Sequence, residues 1–411
     1  MNIGFVTEAL PYVPSPGGFR LYAANLIRCL SRRHSIHLVS VLRNGDAGHV
    51  EWARGFCESV TTVPLQQYSA ITRVANVSSG FVRGQLLTGR QRLLQAVDKS
   101  SSAGKWEVMH VEGAATGSMV SGNGRLPNVL SIHGSGTLRC SEMLKCAQSR
   151  WEHLYNMWLS HFLPRFERLV FPRYGAVTVV AKPDLDEVRK VVTNADVRLI
   201  SFGTDTDYFR PVEVAKQPAT LVFHAHLSYS PNIEAALEFA NEVFPRIRKK
   251  VPNAAFHLVV AKPAAKIMEL ASRPGITISA DVPDVRPEVC AAQVYVCPVR
   301  YGAGLKNKML EAMAMRMPIV AYPGATVGLD CTPGKHVMEA RTPDEFARYA
   351  VDLLQNPRRA EELASAAYHF VKERFSWDAR AREYEDLYRE VIRRQKQCVS
   401  VVVGNVIVAC N

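Results

Sequence analysis

The chain of 411 residues predicts an α/β protein built from two doubly wound, Rossmann-like domains, and three observations carry that expectation. Short apolar runs alternate with amphipathic helical patterns, as in parallel sheets covered on both faces. The alternation pauses between residues 185 and 220 and then begins again. With 47% hydrophobic residues, the chain can bury two sizeable cores.

The first series opens with NIGFVTE, a buried-strand run, followed by the loop LPYVPSPGG. FRLYAANLIRCLSRR then has helical spacing and leads into the strand SIHLVSVL. Further strands are expected at WEVMHVE (106–112), NVLSIHG (128–134) and AVTVVA (176–181), with a long helical region, rich in Trp, Tyr, Phe and Arg, over 138–173. The second series follows VRLISFGTDTDYFRP (197–211). Its strands are TLVFHAH (220–226), AAFHLVVA (254–261), ITISADV (276–282), VYVCPV (294–299) and MPIVAY (317–322), separated by helical stretches such as NIEAALEFANEVFPRIRKK. The expected organisation is an N-terminal domain over 1–190 and a C-terminal domain over 191–375. A helix over 376–396 returns to the N-terminal domain, and an apolar tail of unassigned role fills 397–411. Ligands of such sheets bind at the carboxyl ends of the strands, so the cleft across which the two domains face each other is the expected site.

A net charge of +12 favours anionic partners, among them phosphorylated substrates and an anionic membrane surface, although a solvated basic surface accounts for it equally. No basic run interleaves with aromatics as a nucleic-acid face does, so nucleic acid is not expected as a partner. Nine cysteines without a C-x-x-C pair read as free cytosolic thiols rather than a zinc framework. The N-terminus, MNIGFVTEALPYVP, is not patterned as a signal peptide, and no stretch approaches the ~20 apolar residues of a membrane span. CVSVVVGNVIVACN (398–411) is too short to span and is open to being an extra strand or a contact surface.

The chemistry concentrates in GAGLKNKMLEAMA (302–314), which follows a strand and opens a helix. Gly302 and Gly304 permit close backbone approach, and free N–H groups with the helix dipole attract phosphate. Lys308 adds a full charge, and Glu311, one turn on, can accept hydrogen bonds from the two hydroxyls of a ribose. The same residues also suit an ordinary strand-loop-helix crossover. Pro16-Gly17-Gly18 repeats the device after the first strand, and is equally plain turn chemistry. His133 ends a strand before Gly134-Ser135-Gly136, where it can reach a sugar hydroxyl or rest as a satisfied, partly buried histidine. His110 and Glu112 end another strand and are candidates for acceptor contacts. His224 and His226 end strand 220–226 and can line a phosphate side. Metal is not expected there, because neither histidine has an acid or cysteine nearby in the pattern.

The stretch GAGLKNKMLEAMAMRMPIVAY resembles the signature of retaining glycosyltransferases with the GT-B fold, in particular glycosyltransferase family 4. The resemblance extends through PGGFRLYAANLIRCLSRRH, LSIHG, ISFGTDTDYFRP, HAHLSYSPNIEAALEF and FSWDARAREYEDLY. Its SYSPN and GLKNKMLEAMA versions are similar to sugar transferases of bacterial exopolysaccharide systems. It implies a nucleotide-sugar donor held by the C-terminal domain and a lipid-linked or glycan acceptor held by the N-terminal one. Glu311 would then hold the ribose and Lys308 the diphosphate, and backbone amides around Gly302, Gly304, Leu305 and Lys306 would meet sugar and phosphate. Val282 would present backbone atoms to the base, His226 would lie on the phosphate side, Gly17 and Gly18 would close over the diphosphate, and His133 would touch the transferred sugar. Asp205 would cap or tie the hinge.

By the same resemblance the enzyme would be a metal-independent, retaining hexosyltransferase without a cofactor; it is expected in the cytoplasm, where the basic net charge would let it dock peripherally on the inner face of the cell membrane. The alternatives are a nucleotide-sugar epimerase or hydrolase, and a non-catalytic GT-B binding subunit. The chain departs from the family pattern at Ala303, where an acidic residue is usual eight positions before the glutamate, and at Ala261 and Arg316, where glycine is common.

Overall fold

Strand β1 (Asn2–Thr7) buries all but its first residue, and Gly4 within it lies flat against Trp106: a Cβ there would stand 2.0 Å from the indole ring. Around β1 the first sheet assembles from β2 (Ser35–Leu42), β3 (Ser59–Pro64), β4 (Val108–Glu112), β5 (Asn128–Ile132), β6 (Ala176–Val179) and β7 (Val197–Leu199). The computed structural model describes residues 1–411 except 14–17, 44, 65–89, 121–125, 147–149, 227–229, 262, 264, 302–304 and 409–411. Among the described residues this sheet is parallel throughout, in the order β3-β2-β1-β4-β5-β6-β7. The order reverses between β1 and β4, which opens a crevice at their carboxyl ends.

The second sheet comprises β8 (Thr220–His226), β9 (Ala255–Ala261), β10 (Ile276–Ala280), β11 (Val294–Cys297), β12 (Ile319–Ala321) and β13 (Met338–Glu339). It too is parallel, in the order β10-β9-β8-β11-β12-β13, with its switch point between β8 and β11. Val, Ile, Leu, Phe and Tyr fill the strands, as sheets buried on both faces require. Each sheet has its own apolar core, one running from Val6 to Val197 and the other from Leu221 to Phe375.

The chain divides into two compact units, Met1–Phe202 with Arg380–Asn411, and Gly203–Ala379. The first unit extends past the expected limit at 190 because β7 pairs with β6, Val177 opposite Val197. The last helix runs from Trp377 to Val408. In the first unit its Tyr384 hydroxyl lies 3.0 Å from that of Tyr22 and 2.8 Å from Thr178 Oγ1, and Glu385 and Glu390 accept from Arg33 and Arg198. Up to Val408 the apolar tail continues this helix instead of forming a separate strand, and residues 409–411 lie outside the described residues.

The aromatic region 138–173 forms helices Gly136–Cys146 and Arg150–Val170 and a short 3-10 turn. Strand β3 has no counterpart in the sequence reading, since SVTTVP is a partly exposed edge strand without a buried apolar run. Asp205 Oδ1 accepts from the backbone N–H groups of Asp207 and Tyr208, so it closes a turn just after the first unit.

Candidate active site

In the second unit, a cavity of about 420 Å³ opens at the carboxyl ends of β8 and β9, bounded by Val282 and Val285 beyond β10 and by the start of helix Asn307–Ala314. Its chemistry comes from His224, His226, Lys306, Lys308 and Glu311. The two histidines share a strand face, as residues two apart must. His224 is buried, stands edge-on to Tyr295 at 5.4 Å between ring centres, and donates from Nε2 to Glu311 Oε2 at 2.7 Å. An acidic partner therefore does lie beside His224, contrary to the sequence reading: Glu311 is distant in the chain and reaches β8 only through the crossover after β11. This hydrogen bond fixes one carboxylate oxygen and leaves Glu311 22% exposed toward the cavity.

Lys308 donates from Nζ to Asn232 Oδ1 and lies 5.0 Å from the centre of the Phe223 ring. Asn232 Nδ2 donates in turn to the His226 carbonyl at 2.8 Å, so Asn232 braces the lysine against the end of β8. Burial lowers the Lys308 pKa, and Glu311 is too weak an opposing charge to restore it. Lys306, at the N-cap of the same helix, is buried and also lowered, first by desolvation. Two lysines at one helix start raise the local positive potential where the helix N-terminus already favours an anion. Leu305 and Val282 form apolar walls of the same cavity. Gly302, Ala303 and Gly304 lie outside the described residues, as does Gly17; Gly18 begins the first helix of the first unit.

In the first unit, the ends of β4 and β5 come together around Glu112. Its carboxylate is fully buried and accepts from His110 Nε2 at 2.9 Å and from His133 Nε2 at 3.0 Å. Burial pushes the Glu112 pKa up, but the hydrogen bonds from the two histidines outweigh it and hold the carboxyl at about 2. An ionised carboxylate only accepts, so both histidines must carry a proton on Nε2. The Tyr388 hydroxyl, 2.6 Å from His110 Nδ1, completes the chain from the C-terminal helix. His110 and Glu112 are 0% exposed and cannot touch an acceptor themselves; the expectation of direct contact is corrected to a supporting role beneath His133. His133 is the member that reaches a cavity, one of about 510 Å³ shared with Glu8, Arg139, Glu167 and apolar side chains from Phe19 to Phe171.

The loop after His133 is pinned from below. Asp184 accepts from the Ser135 N–H at 2.8 Å, and buried Glu167 accepts from the hydroxyls of Ser135 and Thr137 at 3.1 and 2.8 Å. Burial also raises the pKa values of Glu8 and Glu167, the former against the pull of Arg43. Glu8, Glu167, Asn232 and the pairing of His224 are absent from the residue-level reading of the sequence. Only Asn232 carried a signal, its place in SYSPN.

Residues 16–208 match the family model described as Glycosyltransferase Family 4, and residues 218–356 match that of Glycosyl transferases group 1. Sucrose-phosphate synthase from Thermosynechococcus elongatus is similar in structure at 16% identity and a TM-score of 0.62, over 96% of this chain and 99% of that one. Alr3699/HepE from Anabaena, solved in complex with UDP and glucose, is 13% identical with a TM-score of 0.59, over 95% of this chain and 100% of its own. A glycosyltransferase from Rickettsia africae has a TM-score of 0.64 at 11% identity, over 94% of this chain and 98% of that one. Among curated proteins, the uncharacterized glycosyltransferase MJ1069 from Methanocaldococcus jannaschii is 29% identical over 107 residues, 25% of this chain and 27% of that relative. The match thus spans about a quarter of that relative's length. Two family models covering one unit each, and full-length likeness to solved structures of the same architecture, lead to one conclusion: the chain belongs to the family 4 glycosyltransferases of the GT-B fold.

Proposed function

We propose that the protein is a retaining, metal-independent glycosyltransferase that moves a sugar from a nucleotide-sugar donor to a lipid-linked or polysaccharide acceptor. Cell-surface or exopolysaccharide biosynthesis at the cytoplasmic face of the membrane is the setting that fits. The observation carrying this reading is the cavity of the second unit, where Glu311, fixed by His224, and Lys308, braced by Asn232, line one space at a helix start. A carboxylate held at one oxygen is set to accept from paired ribose hydroxyls with the other. The lysines and the first N–H groups of helix Asn307–Ala314 suit a diphosphate.

In the reaction, the bond from the anomeric carbon to the diphosphate oxygen breaks through an oxocarbenium-like state, and the acceptor oxygen bonds to the same face of the sugar. Its proton passes to an oxygen of the leaving diphosphate, so no separate carboxylate base is needed. Lys308 and the helix amides stabilise the charge that develops on the leaving group, each strong donor contributing about 3–4 kcal/mol. The pinned His133 serves the sugar side. UDP-sugars are the first donors to try, a choice supported by the UDP and glucose bound in Alr3699/HepE.

A thermal-shift panel of UDP-, GDP-, ADP- and dTDP-sugars identifies the donor, since a ligand of the folded state raises the melting temperature by mass action. Product analysis then separates transfer from isomerisation, hydrolysis or binding alone. Glu311→Ala and Lys308→Ala should each cut transfer by about two orders of magnitude with an unchanged fold. Normal turnover and donor affinity in both variants would overturn the assignment, and full loss of activity with EDTA would overturn the metal-independent scheme.

A further inference from the structure

We propose that one face of helix Arg150–Val170 is a docking surface for an anionic lipid bilayer, with its aromatic rings seated at the headgroup level. The inference rests on the reading of the acceptor as lipid-linked and names the surface that would bring the protein to it. Trp151, Leu154, Tyr155 and Trp158 are 82%, 50%, 61% and 41% exposed, although a folded protein normally hides such side chains. Their spacing, i, i+3, i+4 and i+7, places them in one stripe along the helix.

The stripe is not the core face of an amphipathic helix misplaced into water. That face exists separately: Phe166 and Val170 are buried in the first unit's core, with Leu159 and Leu163 packed against it. The helix therefore has two apolar faces, one covered and one exposed. Among the described residues, no helix is long and apolar enough to cross a membrane, so the exposed face lies along a surface rather than within a span.

The chemistry selects the occupant. Tryptophan and tyrosine are the residues that favour the interface between headgroups and acyl chains, where one end of the ring is apolar and the other wet. Arg150, Arg165 and Arg168 are exposed on the same helix, within a chain of net charge +12, and complement phosphate headgroups. Tyr155 belongs to the stripe and also lines the cavity of the first unit that holds His133. A headgroup arriving at the stripe would thus stand at the mouth of that cavity.

Docking by charge alone and docking by inserted rings differ in their response to salt, which screens the former and leaves the latter. The experiment is flotation of the full chain with vesicles of phosphatidylethanolamine and phosphatidylglycerol, against vesicles of phosphatidylcholine, at low and high salt. Lipids brominated along the acyl chain report insertion by quenching tryptophan fluorescence. The expected result is binding to the anionic vesicles that persists in part at high salt and is quenched. Trp151→Ser combined with Trp158→Ser should lower the bound fraction roughly tenfold and remove the quenching, with an unchanged melting temperature. Leu154→Glu is the second variant, expected to weaken binding in the same direction.

Equal binding and quenching of wild type and variants would overturn the proposal. So would wild-type binding that is unquenched and abolished by salt, or self-association through this face without vesicle binding. Transfer to a water-soluble acceptor analogue separates the two readings. If docking fails while transfer proceeds, the surface is wrong and the enzyme stands; if docking holds and no nucleotide sugar supports transfer, the enzyme reading falls alone.

Discussion

At the scale of single residues, the two units use opposite devices on their charged groups. Glu112 is buried, yet two histidines hold its carboxyl at about 2, below the ordinary 4.5. A depressed folded-state pKa means that the unfolded chain binds the proton more readily between those values, so stability rises with pH there. The contribution of Glu112 is complete above the ordinary carboxylate value and is lost as pH falls toward about 2. Glu112→Gln should cost about 3 kcal/mol near neutrality, and denaturant titrations should find the gap to wild type narrowing under acid. Lys308 gives a slope of the same sign for a different reason. Burial favours its neutral form, so its charge costs stability at neutral pH, and that cost is relieved as pH rises through the lowered pKa. If its charge binds diphosphate, donor affinity should begin to fall on the alkaline side before the ordinary lysine value of 10.5, a limb that Lys308→Met should lack. Calorimetric titration of UDP across that range measures it. Lys308 and Glu311 were legible in GLKNKMLEAMA, but their pairing with His224 and Asn232 was not, because the contacts join β8 and the helix after it to a segment far along the chain.

Among the elements, the helix Asn307–Ala314 ends in a way its sequence makes costly. Arg316 adopts φ 55°, the left-handed region in which glycine is at ease and a side chain is strained. This is one of the two positions where the family pattern commonly has glycine. The exposed ion pair of Arg316 with Glu361 offsets little of that strain. Arg316→Gly should therefore stabilise the protein by about 0.5–1 kcal/mol, read as a higher denaturant midpoint with an unchanged slope. The strands that bury both faces were visible as apolar runs, whereas the edge strands β3, β7 and the two-residue β13 were not. An edge strand is held by ladder hydrogen bonds to a neighbour that local sequence does not name. The helical region 138–173 was legible as helical, but its two apolar faces were not told apart: periodicity reports where apolar side chains cluster, and burial depends on what the fold places opposite.

For the whole molecule, the last helix belongs to the energetics of the first unit although more than 170 residues of the second unit precede it. Tyr384, Leu387, Tyr388 and Val391 are buried there, and Gly175 lacks a side chain because a Cβ would stand 2.5 Å from Val391. A chain ended after Ala379 should lose the folding of its first unit. Hydrogen exchange would then find β1, β4 and β5 unprotected while the strands of the second unit stay protected. The sequence by itself determined the α/β class, two parallel sheets and the helix start carrying Lys308 and Glu311. Alternation, buried-strand runs and glycine-rich turns are local properties, written within a few residues of one another. Only the tertiary structure decided that Glu112 and His110 lie beneath His133 rather than at the surface, that Glu311 pairs with His224, and that the final helix completes the first core. Those outcomes depend on which distant segments share a crevice, and burial, which sets their charge states, is a property of the folded neighbourhood.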